Sequence, residues 1–188
     1  MEFILGSSSP RRLELLKSIG INPSQVIAPD IDETINKNEA PQDYVKRISF
    51  EKMNALKKEK IEGVILTADT IAFCGRRLLD KTDNPEIAFQ NLLLLSGKRH
   101  KVITSLCVLN NSKDLITKSV ASTVLMKKLS KQEIDEYITS REWINVAGSY
   151  RIQGQADSFI KFINGSYSNI VGLPLYQTRN ILKSVGVI

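Results

Sequence analysis

Short apolar strands alternate with amphipathic helices from the first residues onward, and this intermixing limits the chain to an α/β or mixed α+β fold. Phe3–Gly6 reads as a strand running straight into Ser7-Ser8-Ser9-Pro10, where Ser9 can cap a helix and Pro10 suits its first position. That helix should turn Leu13, Leu16 and Ile19 inward and stop at Gly20. A strand at Gln25–Ala28 and an acidic stretch, Asp30-Ile31-Asp32-Glu33, precede a longer helix from Pro41 to about Lys58. Val64–Ala68 is a buried-type strand ending at Asp69-Thr70, followed by a hairpin of Ile71–Cys74 with Leu78-Leu79 around Gly75.

The second half continues the pattern. Asn84-Pro85 opens a helix reaching Leu95, and Val102–Leu109 and Leu115–Met126 are two long strands. Ser130-Lys131-Gln132-Glu133 is a capping box. Phe159–Ile163 and Ser168–Val171 can pair across Asn164-Gly165, and a last helix spans about Pro174 to Val185. The 188 residues form about one large domain, 1–188, by the prior of ~150 residues per domain. No apolar run approaches the ~20 residues a membrane-spanning helix needs. The amino terminus, Met1 to Leu5, is too short and wrongly flanked for a leader. Cys74 and Cys107 lack metal-ligand spacing, so the chain reads as reduced and cytoplasmic, with both thiols packing as small apolar groups.

Lys and Arg number 26 against 20 Asp and Glu, a net charge of +6, which suggests an anionic partner without naming it. Only six Phe, five Tyr and one Trp are present, with no aromatic ladder of the kind that single-stranded nucleic acid stacks on.

Six segments carry candidate chemistry, each with a plainer reading beside it. Arg11 and Arg12 lie in a helix's first turn, where positive charge is locally unfavourable. Either a phosphate chain sits there with the backbone N–H groups, or the helix is simply serine-capped with two solvated arginines. Lys52 falls mid-stripe among Val45, Ile48, Ala55 and Leu56. Either it reaches a carboxylate or anion, or its stem lies over apolar surface with the head in water. Asp69 and Thr70 follow an apolar strand, where an acid can hold a divalent metal or take a proton from water, or merely open a turn. Asp32-Glu33 is a second acidic pair or a solvated loop. Lys81 is either a phosphate ligand or one exposed lysine among many. Gly148–Gly154 is a glycine-bounded turn in which Gln153 can read a base edge, or a plain loop. His100, the sole histidine, reads as structural, and Ser96-Gly97-Lys98 lacks the upstream glycine of a P-loop.

Together these residues resemble the Maf family of nucleoside triphosphate pyrophosphatases from end to end. The likeness runs through Ser7-Ser8-Ser9-Pro10-Arg11-Arg12, Asp32-Glu33, Glu51-Lys52, Ala68-Asp69-Thr70, Leu79-Asp80-Lys81, Ile152-Gln153-Gly154, Asn164-Gly165-Ser166-Tyr167 and Val171-Gly172-Leu173-Pro174-Leu175. The resemblance implies an ITPase-like fold, with an elongated mixed sheet flanked by helices and an active cleft between two lobes. It implies cleavage of the α–β phosphoanhydride to a nucleoside monophosphate and pyrophosphate.

In the same family, Ser9, Arg11, Arg12, Lys52 and Lys81 correspond to phosphate-binding positions, Asp69 to the base or main metal ligand, and Glu33 to its partner in holding Mg²⁺ or Mn²⁺. Arg11, Thr70 and Gln153 match the dTTP/UTP branch. A different base preference, such as 7-methyl-GTP, and a nucleotide-binding cell-division regulator without essential catalysis are the alternatives. The implied partners are a nucleoside triphosphate and a second copy of the chain, with no nucleic acid or membrane. Two positions depart from the family pattern. Lys81 is followed by Thr82 rather than proline, which implies a looser loop. Arg151 adds a charge beside the implied base reader.

Overall fold

The computed structural model describes residues 2–59 and 61–188; Met1, part of the stretch weighed as a leader, lies outside them, as does Lys60. Among these residues, seven strands form one mixed sheet: β1 (Phe3–Gly6), β2 (Gln25–Ile27), β3 (Val64–Cys74), β4 (Arg77–Leu79), β5 (Arg99–Leu109), β6 (Leu115–Met126) and β7 (Ile160–Asn164). Their order is β2-β1-β3-β5-β6-β7, with β4 paired to β3. The helices are α1 (Pro10–Ser18), α2 (Pro41–Lys58), α3 (Pro85–Leu95), α4 (Lys131–Ser140), α5 (Tyr167–Val171) and α6 (Leu175–Ser184). None is long and apolar enough to cross a membrane.

The chain divides into two compact units. One comprises residues 1–69, 104–120 and 172–188, and the other 70–103 and 121–171. In the first, β1 runs parallel to β2 and to β3, with Phe3 opposite Val64 and Gly6 opposite Thr67. Parallel strands need both faces covered, which explains why β1 is buried at every position. Ile4, Ile65, Met53, Leu56, Cys107 and Leu109 form its core cluster. Each fully buried aliphatic side chain there contributes about 1.5–3 kcal/mol. Gly6 is required by packing: a Cβ would lie 2.5 Å from Leu56 Cδ1 and 2.7 Å from Thr67 Cγ2. Burial pushes the Cys107 thiol up to about 12.

In the second unit, Ser130 opens α4 with the expected capping box, and the Asn84 side chain accepts from the N–H groups of Glu86 and Ile87 at the start of α3. Cys74, unlike Cys107, is only half-buried.

Four local expectations are corrected. Asp69 and Thr70 do not end a strand, because β3 continues to Cys74, where it pairs antiparallel with β4. Residues 168–171 are not a strand: Ser166 draws the chain into α5 by accepting from the Asn169 N–H. Buried Asn169 is then fixed by bonds to Val102 O and Ser122 Oγ. Ser9 makes no side-chain cap; its own N–H donates to Ser7 Oγ at 3.2 Å. The inward face of α1 carries Arg12, Leu15 and Leu16, with Leu13 and Ile19 half-buried.

Candidate active site

The strand period and the helix period meet where β3 faces α2. Successive residues of a strand point to opposite faces, so Thr67 and Asp69 share one. On α2, Ser49 and Lys52 are three residues apart and also share a face. Thr67 Oγ1 donates to Ser49 O at 2.8 Å, and one strand period further on Lys52 Nζ donates to Asp69 Oδ1 at 2.8 Å. Lys52 is 6% exposed and Asp69 2%. The snorkelling reading of Lys52 therefore fails: its head is buried and paired. Glu33 Oε1 lies 2.7 Å from the same ammonium. Two carboxylates thus flank one cation, leaving one of its three N–H groups beyond these two bonds.

Arg12 is the second buried cation, at 6% exposed. Its Nε donates to Gly172 O at 2.9 Å and its Nη1 to Ser7 Oγ at 2.9 Å. Burial lowers the Arg12 pKa, Asp69 opposes that shift, and neighbouring Arg11 adds to it. An arginine so placed is held by nearby carboxylate charge and by fixed acceptors. Ser7 follows the parallel ladder's end at Gly6, and Asp69 lies two residues past its end at Thr67. The carboxyl ends of parallel strands are where open α/β sheets bind ligands. Arg12, Lys52, Asp69 and Glu33 therefore form one cluster within the first unit, with Arg11 half-buried beside it. Ser9 lies next to this cluster, with its N–H donating to Ser7 Oγ and its carbonyl accepting from the Arg12 N–H.

Ser7 and the Gly172 carbonyl were not legible as anchors, since nothing local separates Ser7 from Ser8 and Ser9. Only the fold brings Arg12 back onto them.

The remaining predicted positions belong to the second unit. Thr70 is buried in β3, and Lys81 is exposed after β4. Thr82, which follows Lys81 in place of proline, is hydrogen-bonded at two points. Thr82 O accepts from the Asn145 N–H at 3.0 Å, and Thr82 Oγ1 from the Asn84 N–H at 3.0 Å. Gln153 and Arg151 are exposed on the turn that starts at Gly148. Gly148 has φ 76° and Ser149 φ 55°, so this turn uses left-handed backbone at a non-glycine residue. It is fastened from below: Asn91 Nδ2 donates to Ser149 Oγ at 2.9 Å, and the Arg151 N–H donates to Tyr137 OH at 2.8 Å. Tyr150 OH pairs with His100 Nε2 at 2.8 Å. His100 lies within β5 and is 2% exposed, a structural residue as expected, with burial lowering its pKa to about 4.

Among the described residues, no three His, Cys, Asp or Glu side chains group to hold a metal unaided. Asp69 and Glu33 fit a different mode. Mg²⁺ and Mn²⁺ accept one or two protein carboxylates when substrate phosphates supply other oxygens.

The family model described as "Maf-like protein" matches residues 2–185. The chain belongs to the Maf family. A "Nucleoside triphosphate pyrophosphatase" of Neorickettsia sennetsu is 45% identical over 186 residues, covering 99% of this chain and 89% of that protein. A "dTTP/UTP pyrophosphatase" of Zymomonas mobilis subsp. mobilis is 45% identical over 183 residues, covering 97% and 91%. Among solved structures, the Staphylococcus aureus Ham1 protein aligns with a TM-score of 0.53 at 11% identity, over 98% of this chain and 99% of that one. A HAM1 protein from Coxiella burnetii gives 0.52 at 13% identity, over 98% and 99%. At these identities the two structures establish shared architecture. The Maf chain therefore has a mixed sheet flanked by helices, as its sequence led one to expect.

Proposed function

We propose that this protein is a nucleoside triphosphate pyrophosphatase acting on dTTP and UTP, releasing the monophosphate and pyrophosphate. The observation that carries the reading is the buried Lys52 ammonium held between Asp69 and Glu33 beside buried Arg12. Such a cluster costs several kcal/mol to desolvate, an expense unneeded for folding alone. The names of the relatives from N. sennetsu and Z. mobilis support the reaction class.

Phosphoanhydride hydrolysis needs charge neutralisation, an in-line water and a proton acceptor. Asp69 is tied to Lys52 through Oδ1, and its second oxygen takes the proton of the water attacking the α-phosphorus. The α-phosphorus–oxygen bond to the β-phosphate breaks as the new oxygen–phosphorus bond forms, and pyrophosphate leaves. Arg11, Arg12 and Lys52 bind the phosphate oxygens, and Ser9, whose N–H is engaged by Ser7 Oγ, offers its hydroxyl. Asp69 and Glu33 would hold a Mg²⁺ or Mn²⁺ ion, which when bound neutralises phosphate charge.

Residues 1–188 are assigned to a single catalytic domain. Lys81 as a further phosphate ligand, and Thr70 and Gln153 as readers of the pyrimidine edge, rest on the family likeness. A cytoplasmic homodimer completes the reading.

The test is pyrophosphate release from canonical and modified triphosphates, with and without Mg²⁺ or Mn²⁺. The proposal expects dTTP and UTP to be turned over best. Preference for 7-methyl-GTP would overturn the substrate assignment, and no release from any triphosphate would overturn the reaction.

A further inference from the structure

Glu33 meets Lys52 from a segment with no helix or strand of its own. Residues 28–40 connect β2 to α2 as irregular chain, and Glu33 is exposed there. A free loop of this length would spread the Glu33 carboxylate over many positions, because ordering each residue costs about 1–2 kcal/mol of backbone entropy. Something must fix it, and α2 supplies bonds that do.

Arg47 does most of this. Its Nε donates to Glu39 Oε1 at 2.7 Å and its Nη2 to Glu39 Oε2 at 2.7 Å, a two-point grip near the loop's carboxyl end. Nη2 also donates to the Thr34 carbonyl at 3.0 Å, one residue past Glu33. Nη1 turns to Glu51 at 3.2 Å, which steadies the guanidinium on its own helix. Glu39 raises the Arg47 pKa and is itself held below the usual carboxylate range by Arg47.

Tyr44, one helical turn earlier, donates its hydroxyl to the Glu33 carbonyl at 2.9 Å, with the Arg47 guanidinium 5.5 Å from its ring centre. Within the loop, Asp32 Oδ1 accepts from the Thr34 N–H at 2.9 Å, and Glu39 Oε2 from the Asn36 N–H at 3.0 Å. The carbonyls of Glu33 and Thr34 are thus pinned in succession, which aims the Glu33 side chain. Lys52 lies five residues beyond Arg47 on the same helix, so clamp and target share one rigid support.

We propose that Arg47, assisted by Tyr44, is a positioning residue that holds Glu33 against Lys52 without touching substrate. The planar fork is essential, since only a guanidinium can grip Glu39 at two points while reaching a carbonyl. The catalytic consequence rests on the pyrophosphatase reading; the positioning itself does not.

The experiment compares the full chain with Arg47→Ala, Arg47→Lys, Tyr44→Phe, Glu33→Gln and the Arg47→Ala/Glu33→Gln double variant. Two readouts are taken: dTTP kinetics with Mg²⁺, and amide hydrogen exchange over residues 30–39. Arg47→Ala should lower kcat roughly ten- to a hundredfold with KM changed less, matching Glu33→Gln. It should cause little further loss in the Glu33→Gln background. Arg47→Lys should recover only part, and Tyr44→Phe should show a weaker form of the same defect. Exchange should rise across 30–39 in Arg47→Ala while the amides of α2 and β3 stay protected.

Losses that multiply in the double variant would overturn the proposal, as would unchanged loop exchange. If the parent turns over no triphosphate, the pyrophosphatase reading fails and exchange alone decides the positioning.

Discussion

The unit that carries Lys52 and the unit that carries Gln153 treat their polar residues in opposite ways. In the first, Arg12, Lys52 and Asp69 are buried, and each is tied to fixed partners: Gly172, Ser7, Glu33 and one another. In the second, Gln153 and Arg151 stand in the open, and the tied groups are the ones beneath them, Asn91, Tyr137, Tyr150 and His100. The first arrangement suits chemistry that every nucleoside triphosphate shares, where charges must be placed before substrate arrives. Under the reading proposed above, in which Gln153 reads the base, the second would let that side chain be exchanged without disturbing the turn that supports it.

That contrast breaks first at Asp69. Asp69→Asn should lower turnover by about 10²- to 10⁴-fold, the range of a positioned general base, while folding stays near normal. Turnover within tenfold of the parent would end its assignment as the base. Next comes Lys52→Ala, which takes away the ammonium that Asp69 and Glu33 share, leaves Asp69 only the nearby Arg12 charge, and should cost up to about 3–5 kcal/mol in urea unfolding. A loss under about 1 kcal/mol would mean the cluster is wetter than its burial implies.

His100 sharpens the comparison within the second unit. Burial depresses its pKa from 6.5 to about 4, so the unfolded chain takes up a proton before the folded chain does. Its contribution is complete above pH 6.5 and is lost as pH falls towards about 4. The parent should lose about 3 kcal/mol more than His100→Gln across that window. Identical acid profiles for the two proteins would refute this. The smallest effect should come from Gln153→Ala, with stability within about 0.5 kcal/mol and preference between dTTP and purine triphosphates changed about tenfold. A large stability loss would erase the distinction between the two units.

The sequence carried most of the architecture wherever one period or one cap ruled a segment. The place of Lys52 on the buried face was legible because α2 has a clean helical stripe with a cation at its centre, but its pairing was not, since Asp69 and Glu33 come from other elements. The Ser130 box and the Asn84 cap were legible because their hydrogen bonds close within a few residues. Residues 168–171 misled because Ile170 and Val171 favour strands. What decides their conformation is Ser166 at the helix start and Asn169 reaching Val102, a partner 67 residues away. Asp69 was placed at a strand end because an aspartate after an apolar strand commonly opens a turn, whereas pairing with β4 extends the strand. The grip of Arg47 on Glu39 and Thr34 left no local signature, since it depends on how an irregular loop folds back over its helix.

Cys107 offers a practical handle. A thiol pushed up to about 12 and sealed among Ile4, Met53, Leu56 and Ile65 is shielded from alkylating reagents while the core is closed. With Cys74 replaced by serine, the rate at which iodoacetamide modifies the protein becomes a measure of the fraction of time that interior stands open.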